Sequence, residues 1–327
     1  MSAQESVQPQ ISRRRQVMAD LALVAVTFIW GSTFVLVKDI VETVPPMLLL
    51  SVRFGIGALA LGLLVTVMRR WRGLSMREVG WGSLTGLALG LGYVLQTIGL
   101  QYTTASRAGF ITGLLVVLAP VMGIVVLRQV PGRWAFAGVV LATAGLLLLA
   151  VVDTGGATGG LNEGDLIVLG CAFAFAMQVV LVAKVSREYD PLRFTMLQVL
   201  VTGVLSAAGA VLFEAPVAGL SSEVWAGAAF LGIMATAVGI GVQVAVQKYT
   251  TVVHASLIFT LEPVFAAIFG YWLQGDRLGP AGLVGAGLIV VGMLAAELGP
   301  YIRRKSVRRR GTDQMAAAEG GLEGKTQ

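Results

Sequence analysis

The chain has almost none of the residues that build disulfide frameworks or metal centres. Its 327 residues include a single cysteine, Cys171, and a single histidine, His254. A disulfide needs two cysteines, and a structural zinc site needs about four ligands, mostly cysteine and histidine. The sequence therefore predicts no disulfide, no metal site and no cofactor.

Charged residues are also scarce. They make up 13% of the chain against 56% hydrophobic residues, and the mean hydropathy is +0.81. A water-soluble core cannot bury so much apolar surface, so lipid must surround most of the chain. The net charge of +6 comes from Lys and Arg in loops and tails beside apolar segments, which favours a membrane surface over nucleic acid. The expected partners are membrane lipid and a small-molecule substrate, with monomer and homodimer both open.

Ten apolar runs match the length of about 20 residues that a helix needs to cross a bilayer. They cover residues 19–37, 47–68, 79–100, 105–127, 134–152, 164–183, 192–213, 224–247, 252–273 and 279–299. Many of the 42 glycines lie inside these runs, where small side chains let helices pack closely. An all-α polytopic membrane protein is therefore favoured over a β-barrel, whose strands are short and alternating.

The two halves of the chain repeat each other. A shift of 145 residues lays Asp20 on Asp165, and a shift of 147 lays the Tyr-Thr-Thr of residues 102–104 on that of 249–251. Each copy holds five runs, an odd number, so the second copy enters the membrane from the opposite face. The sequence predicts ten transmembrane helices as two inverted-topology repeats, with a binding site near the midplane between them.

The predicted organisation follows from these runs and from the basic residues. The N-terminal tail covers residues 1–18, the first repeat 19–152, the second repeat 164–299 and a basic, disordered C-terminal tail 300–327. With the N-terminus inside, 20 of the 24 Lys and Arg lie in inside segments, and cytoplasmic loops carry such an excess. Both termini are therefore expected in the cytoplasm.

Several motifs resemble one known family. They are Trp30-Gly31-Ser32-Thr33-Phe34, Pro46 with Arg53-Phe54, the segment 95–110, and Leu261-Glu262-Pro263-Val264. Together they are similar to the EamA family of the drug/metabolite transporter superfamily, over roughly residues 19–299. The resemblance implies a carrier of the bacterial inner membrane with a central cavity, exporting amino acids or other small metabolites. The second copy departs from it where residues 175–178 (Phe-Ala-Met-Gln) replace Trp-Gly-Ser-Thr.

Glu262 is the first candidate for a functional residue. It lies near the middle of an apolar run, where a charge costs about 2.5–3.5 kcal/mol, so an intramembrane carboxylate indicates function. It is interpreted as a coupling or ammonium-binding group, or as a structural Glu paired to a neighbouring helix. In the first copy Ala119 stands at the equivalent position.

Arg53 is the matching cation, about two turns into the second run. It could bind a carboxylate in bidentate fashion, pair with Glu262, or extend its charged end towards the membrane surface. A structural or gating role is favoured, because the family resemblance at this residue does not depend on substrate. Its repeat equivalent is Gln198.

Other residues inside the runs complete the candidate site. The polar and aromatic candidates are Trp30, Ser32, Thr33, Tyr93, Gln96, Gln178 and Gln243, each of which could bind a ligand or bridge helices. Pro120 and Pro263 are hinge candidates, because proline removes a helical hydrogen bond. Asp20 and Asp165 are interpreted as helix caps, and His254 as a residue of the membrane interface.

The predicted function is a secondary transporter rather than an enzyme. An intramembrane enzyme would need a nucleophile–base pair or a carboxylate dyad, and the charged pair here is opposite in sign. A small-molecule sensor or lipid-handling subunit is the alternative. No ATP-binding loop of the Walker type occurs in the sequence.

Overall fold

The computed structural model describes residues 13–128, 130–152, 162–217, 219–274 and 279–295, the last range without 282, 286 and 293. Throughout these ranges the regular structure is helical and no strand occurs. The predicted C-terminal tail and most of the predicted N-terminal tail lie outside the described residues.

The helices are joined by short connections and follow the predicted apolar runs closely. The first half contains α1 (Arg13–Val41), α2 (Pro46–Val67), α3 (Met76–Tyr102), α4 (Ala105–Thr112), α5 (Leu115–Leu127) and α6 (Arg133–Val152). The second half contains α7 (Glu163–Val185), α8 (Pro191–Phe213), α9 (Ser222–Phe230), a π-helical segment (Leu231–Val238), α10 (Gly239–Gln247), α11 (Val252–Phe259) and α12 (Leu261–Gln274). A short apolar helix, Leu283–Gly292, follows.

Eight helical stretches in the described residues are long and apolar enough to cross a membrane. Three of them combine consecutive elements, namely α4 with α5, α9 with α10 through the π segment, and α11 with α12. The prediction of an all-helical polytopic protein is confirmed. The count of ten stays a prediction, since α6 and the short last helix are not among these eight.

Side chains that accept hydrogen bonds mark several helix starts. Ser75, Thr104 and Thr251 each accept from the N–H three residues later, which has no partner inside the helix. Asn162 and Asp165 form a reciprocal pair at the start of α7. The capping interpretation of Asp20 is wrong, because α1 begins at Arg13 and continues through it.

The prolines do not lie at the helix interruptions. In the first repeat the interruption falls at residues 113–114, and Pro120 lies inside the continuous α5. In the second repeat it falls at Thr260, and Pro263 lies in the first turn of α12. A proline there costs no helical hydrogen bond, because first-turn N–H groups have no partner inside the helix. In both of these spans, the helix interruption therefore lies before the proline in sequence.

The π-helical segment Leu231–Val238 was not predicted. Its wider turn interrupts the i to i−4 pattern of α9 and α10, and such segments frequently lie at functional sites. Two of its residues, Ala235 and Thr236, accept hydrogen bonds from α1 and α2. The segment therefore ties the second repeat to the first beside the centre of the bundle.

Helices of the two repeats pack in a reciprocal way. α1 packs against α12 of the second repeat, and its counterpart α7 packs against α5 of the first. α7 also packs against α3, as α1 packs against α10, and the equivalent helices α2 and α8 pack on each other. The contact between the repeats therefore runs through the centre of the bundle.

Candidate functional site

A small cavity of about 40 Å³ lies between the repeats. Its first-repeat lining is Trp30, Thr33, Leu89, Tyr93, Gln96 and Leu115, and its second-repeat lining is Phe175, Gln178, Val179, Gln243, Phe259 and Glu262. Small-molecule sites are typically concave and mostly apolar, with a few polar groups that orient the ligand. The composition of this cavity fits that description.

Seven of the nine predicted binding or coupling candidates line this cavity, and two do not. The seven are Trp30, Thr33, Tyr93, Gln96, Gln178, Gln243 and Glu262. The Ser32 hydroxyl donates to the carbonyl of Ile29 at 2.6 Å, within its own helix. Arg53 is buried and is not among the residues that line the cavity. The structure thus brings together residues that are as far apart in sequence as Trp30 and Glu262.

Glu262 lies at a close approach between α12 and α1. An added Cβ on Gly31 would lie 2.9 Å from the Glu262 carbonyl oxygen and 2.5 Å from the Phe265 Cβ. Only a glycine fits such an approach, which gives the Trp-Gly motif a physical reason. Among the described residues, no group hydrogen-bonds to the Glu262 carboxylate, so its oxygens remain available to the cavity.

The side chain of Trp30, a first-repeat residue, is held in place by the second repeat. Its indole Nε1 donates to the carbonyl of Ala235 in the π segment at 2.8 Å. A Cβ on Gly239 would lie 2.8 Å from the same nitrogen, so the glycine leaves room for the indole. The ring lies 5.6 Å from the Phe259 ring. The indole therefore contributes an apolar wall and no free donor.

Arg53 is buried behind Tyr93, with 2% of its surface exposed. Its Nε donates to the Thr236 hydroxyl at 2.9 Å, and its guanidinium carbon lies 4.4 Å from the centre of the Tyr93 ring. None of the ion pairs within 4 Å in the described residues joins Arg53 to Glu262. Of the alternatives left open for Arg53, the described residues show neither an extension towards the membrane surface nor a direct pair with Glu262.

Four glutamines form a buried chain of amides beside the cavity. Gln243 Nε2 donates to Gln178 Oε1 at 3.1 Å and to Gln247 Oε1 at 3.2 Å. Gln178 Nε2 donates to Gln198 Oε1 at 3.1 Å, and Gln247 Nε2 donates to the carbonyl of Val179 at 2.6 Å. Both N–H groups of Gln243 are therefore used inside the protein.

The first repeat holds a smaller polar group around Gln96. Its Nε2 donates to the Thr112 hydroxyl at 3.2 Å, and that hydroxyl lies 3.5 Å from Cys171 Sγ. Cys171 is fully buried. These contacts join α3, α4 and α7 beside the cavity, so Gln96 is a helix bridge as well as a lining residue.

Ion pairs tie the repeats together at both ends of the bundle. Asp165 is 1% exposed and accepts from the Thr103 hydroxyl at 2.7 Å and from the Arg107 guanidinium. At the other end Arg193 donates to both carboxylate oxygens of Glu78, at 3.0 and 2.9 Å. Each pair connects one helix of the first repeat to one of the second.

Sequence reasoning missed part of the site. Phe175 and Leu89 line the cavity, yet apolar residues within apolar runs give no signal of their own. Phe175 was detectable as the repeat equivalent of Trp30 at the shift of 145. Gln247 and Thr236 could not be found this way, because their partners are fixed by helix packing and by the π segment.

Comparison with known proteins identifies the fold and the family. The sequence pattern of the EamA-like transporter family matches residues 17–151 and again residues 162–296. The chain belongs to the EamA-like transporter family. As its sequence repeat indicated, this EamA-like transporter carries the family domain twice. It is a multi-pass membrane protein with eight candidate spans in its described residues.

Its relatives come from distant organisms. This EamA-like transporter is 33% identical over 284 residues to an uncharacterized transporter of Archaeoglobus fulgidus, with 87% of each chain covered. It is 27% identical to a WAT1-related chloroplast protein of Arabidopsis thaliana, covering 82% of this chain and 67% of that one. A solved crystal structure matches with a TM-score of 0.73 at 23% identity, covering 86% of this chain and 98% of that chain, and it supports the fold.

Proposed function

We propose that this EamA-like transporter is a secondary carrier that exports a small metabolite, such as an amino acid or a related compound, by alternating access. One observation carries the proposal: a single cavity is lined by residues of both repeats. In carriers built from repeats, movement of one half against the other opens such a cavity to one side at a time. The half-buried, ionisable Glu262 at its wall supports a role in ligand binding or coupling.

The proposed architecture is ten helices in two inverted five-helix repeats. The reciprocal packing of α1 on α12 and of α7 on α5 supports it, because a two-fold relation between the repeats generates such pairs. The Lys and Arg distribution supports cytoplasmic termini. A bacterial inner membrane is the location that fits this orientation.

An efflux screen tests the proposed function. Cells with and without the gene are loaded with amino acids, amines, nucleobases and cationic drugs, and tolerance and release are compared. We expect at least one compound to leave faster when the protein is present. A protein that changes no flux but copurifies with a stable partner would instead favour the sensor or lipid-handling subunit.

The role of Glu262 in coupling has its own test. Glu262→Gln keeps the size of the side chain and removes its charge, so we expect flux driven by an imposed proton gradient to fall by at least about tenfold, the equivalent of one charge-assisted hydrogen bond. Glu188→Gln, on an exposed loop residue, is the matched control. Unchanged gradient-driven flux in proteoliposomes of the Glu262→Gln protein would exclude the coupling role.

A further inference from the structure

The charge of the cavity wall narrows the class of substrate. Among its twelve described lining residues, Glu262 is acidic and none is Lys, Arg or His. A bound carboxylate group would face Glu262 without a cation at hydrogen-bond distance. A bound cation would gain a charge-assisted hydrogen bond from the same residue. At contact distance, therefore, the wall favours positive charge.

Arg53 does not reverse this preference. Its guanidinium lies 4.4 Å from the centre of the Tyr93 ring, and Arg53 is not among the residues that line the cavity. Its Nε is already bonded to Thr236. Because Arg53 does not line the cavity, a substrate carboxylate there lacks the direct bidentate contact that makes Arg–carboxylate recognition strong.

Most hydrogen-bond donors of the lining residues are already bonded to other groups of the protein, whereas several of their acceptors are not. The Trp30 N–H donates to Ala235, the Thr33 hydroxyl donates to the carbonyl of Trp30, and both N–H groups of Gln243 are bonded. The acceptors left on lining residues are the Glu262 carboxylate, the carbonyl oxygens of Gln243 and Gln96, and the Thr33 oxygen. One N–H each on Gln96 and Gln178 and the Tyr93 hydroxyl remain as donors.

Aromatic rings supply the rest of the wall. The Tyr93 and Phe175 ring centres are 5.0 Å apart, edge to face, and Trp30 lies against Phe259. Aromatic faces attract cations through the ring quadrupole, more strongly when water is excluded. Four rings and one carboxylate in the lining of the same cavity suit an apolar body that carries a positive nitrogen.

We propose that the cavity takes an organic cation that donates hydrogen bonds, such as a protonated primary amine or an amidine, with its charged nitrogen at Glu262. This inference rests on the proposed transport function and narrows it from amino acids to amines without a carboxylate. The acceptors of Gln243 and Thr33 complete the coordination of the nitrogen. The rings hold the organic body.

Four probes that share one aromatic ring test the proposal on the full-length protein in lipid nanodiscs. They are phenethylamine (cation), phenyltrimethylammonium (cation without N–H), phenylalanine (zwitterion) and 3-phenylpropionate (anion), each titrated by calorimetry at pH 7. We expect phenethylamine to bind at least about tenfold more tightly than phenylalanine, with phenyltrimethylammonium between them and 3-phenylpropionate not binding. Equal or tighter binding of phenylalanine or of the anion, or no binding of phenethylamine, overturns the proposal.

Variants of Glu262 distinguish the effect of losing the side-chain charge from the effect of misfolding. Glu262→Gln should remove the preference for phenethylamine over phenylalanine, Glu262→Asp should keep part of it, and Glu188→Gln should leave it unchanged. Size-exclusion profiles check that each protein is folded. Retained preference in a folded Glu262→Gln protein overturns the inference. If proteoliposomes transport phenylalanine faster than phenethylamine, the transport function stands and the cation inference fails.

Discussion

At the scale of single residues, the site is defined by which hydrogen-bonding groups are already occupied. Gln178 and Gln243 were predicted as cavity residues or helix bridges, and the structure shows that they are both. Each lines the cavity and each bonds to another buried glutamine. The bridging contacts decide which atom a ligand can meet, because an amide whose N–H groups are bonded offers its carbonyl oxygen.

Gln247 tests this reasoning, because it acts on the cavity without lining it. Gln247→Leu removes an acceptor of Gln243 and frees one Gln243 N–H. We expect phenethylamine to bind more weakly relative to phenylalanine, because the wall gains a donor. The lost buried hydrogen bonds should also lower the stability by about 1–3 kcal/mol. Thermal unfolding and calorimetry measure the two effects.

The control for Gln247→Leu is the same change at Gln101, which is exposed at the end of α3. Gln101→Leu should alter neither the unfolding temperature nor the ratio of the two affinities. An unchanged ratio in a folded Gln247→Leu protein would show that the glutamine chain is only a structural bridge.

At the scale of helices, the site depends on close approach between α1 and α12. The Cβ of Gly31→Ala would meet the α12 backbone, 2.9 Å from the Glu262 carbonyl oxygen, so the helices must separate. Overpacking of this kind costs about 1–3 kcal/mol. We expect a lower unfolding temperature and reduced transport, measured on the purified protein and in proteoliposomes.

Gly62→Ala is the comparison, since a Cβ there meets nothing within 4 Å. Alanine is the better helix former by about 1 kcal/mol, so this variant should be as stable as the parent or more so. If Gly31→Ala behaved like Gly62→Ala, the contact at Gly31 would not position Glu262.

The sequence predicted helices and cavity residues better than it predicted contacts. The length of an apolar run is set by the thickness of the bilayer. The sequence therefore predicted the ends of α2 and α8 to within a few residues. Glu262 was identified from the sequence because an ionisable residue within an apolar run is costly in lipid and therefore indicates function. The surroundings of Arg53 were left open, because its burial beside Tyr93 depends on Thr236 in a π segment that no residue pattern predicts.

At the scale of the whole molecule, the repeats are equivalent in sequence and different in contact. The shift of 147 pairs Thr103 with Thr250 and Arg107 with His254, while 145 pairs Asp165 with Asp20. Thr103 donates to Asp165, whereas the Thr250 hydroxyl is buried without a hydrogen-bond partner in the described residues. The two copies therefore differ in the hydrogen bond of this threonine.

The Asp165 contacts lie at the outer end in the proposed orientation, so weakening them should open the cavity outwards. A reporter cysteine, Leu115→Cys, is placed on the cavity wall in a Cys171→Ala background, and a membrane-impermeant thiol reagent is added outside the cells. Asp165→Asn removes the charge that holds Arg107. We expect labelling at least about fivefold faster, because losing about 1 kcal/mol of contact shifts a two-state equilibrium by that factor.

Glu163→Gln supplies the matched control, because Glu163 is exposed two residues from Asp165 and at the same helix start. Its labelling rate should equal that of the parent. Equal rates in Asp165→Asn and the parent would mean that Arg107 and Thr103 do not hold the outer end closed. Faster labelling confined to Asp165→Asn would instead show that breaking one contact between the repeats changes access to a cavity lined by both, as rocking of the two halves requires.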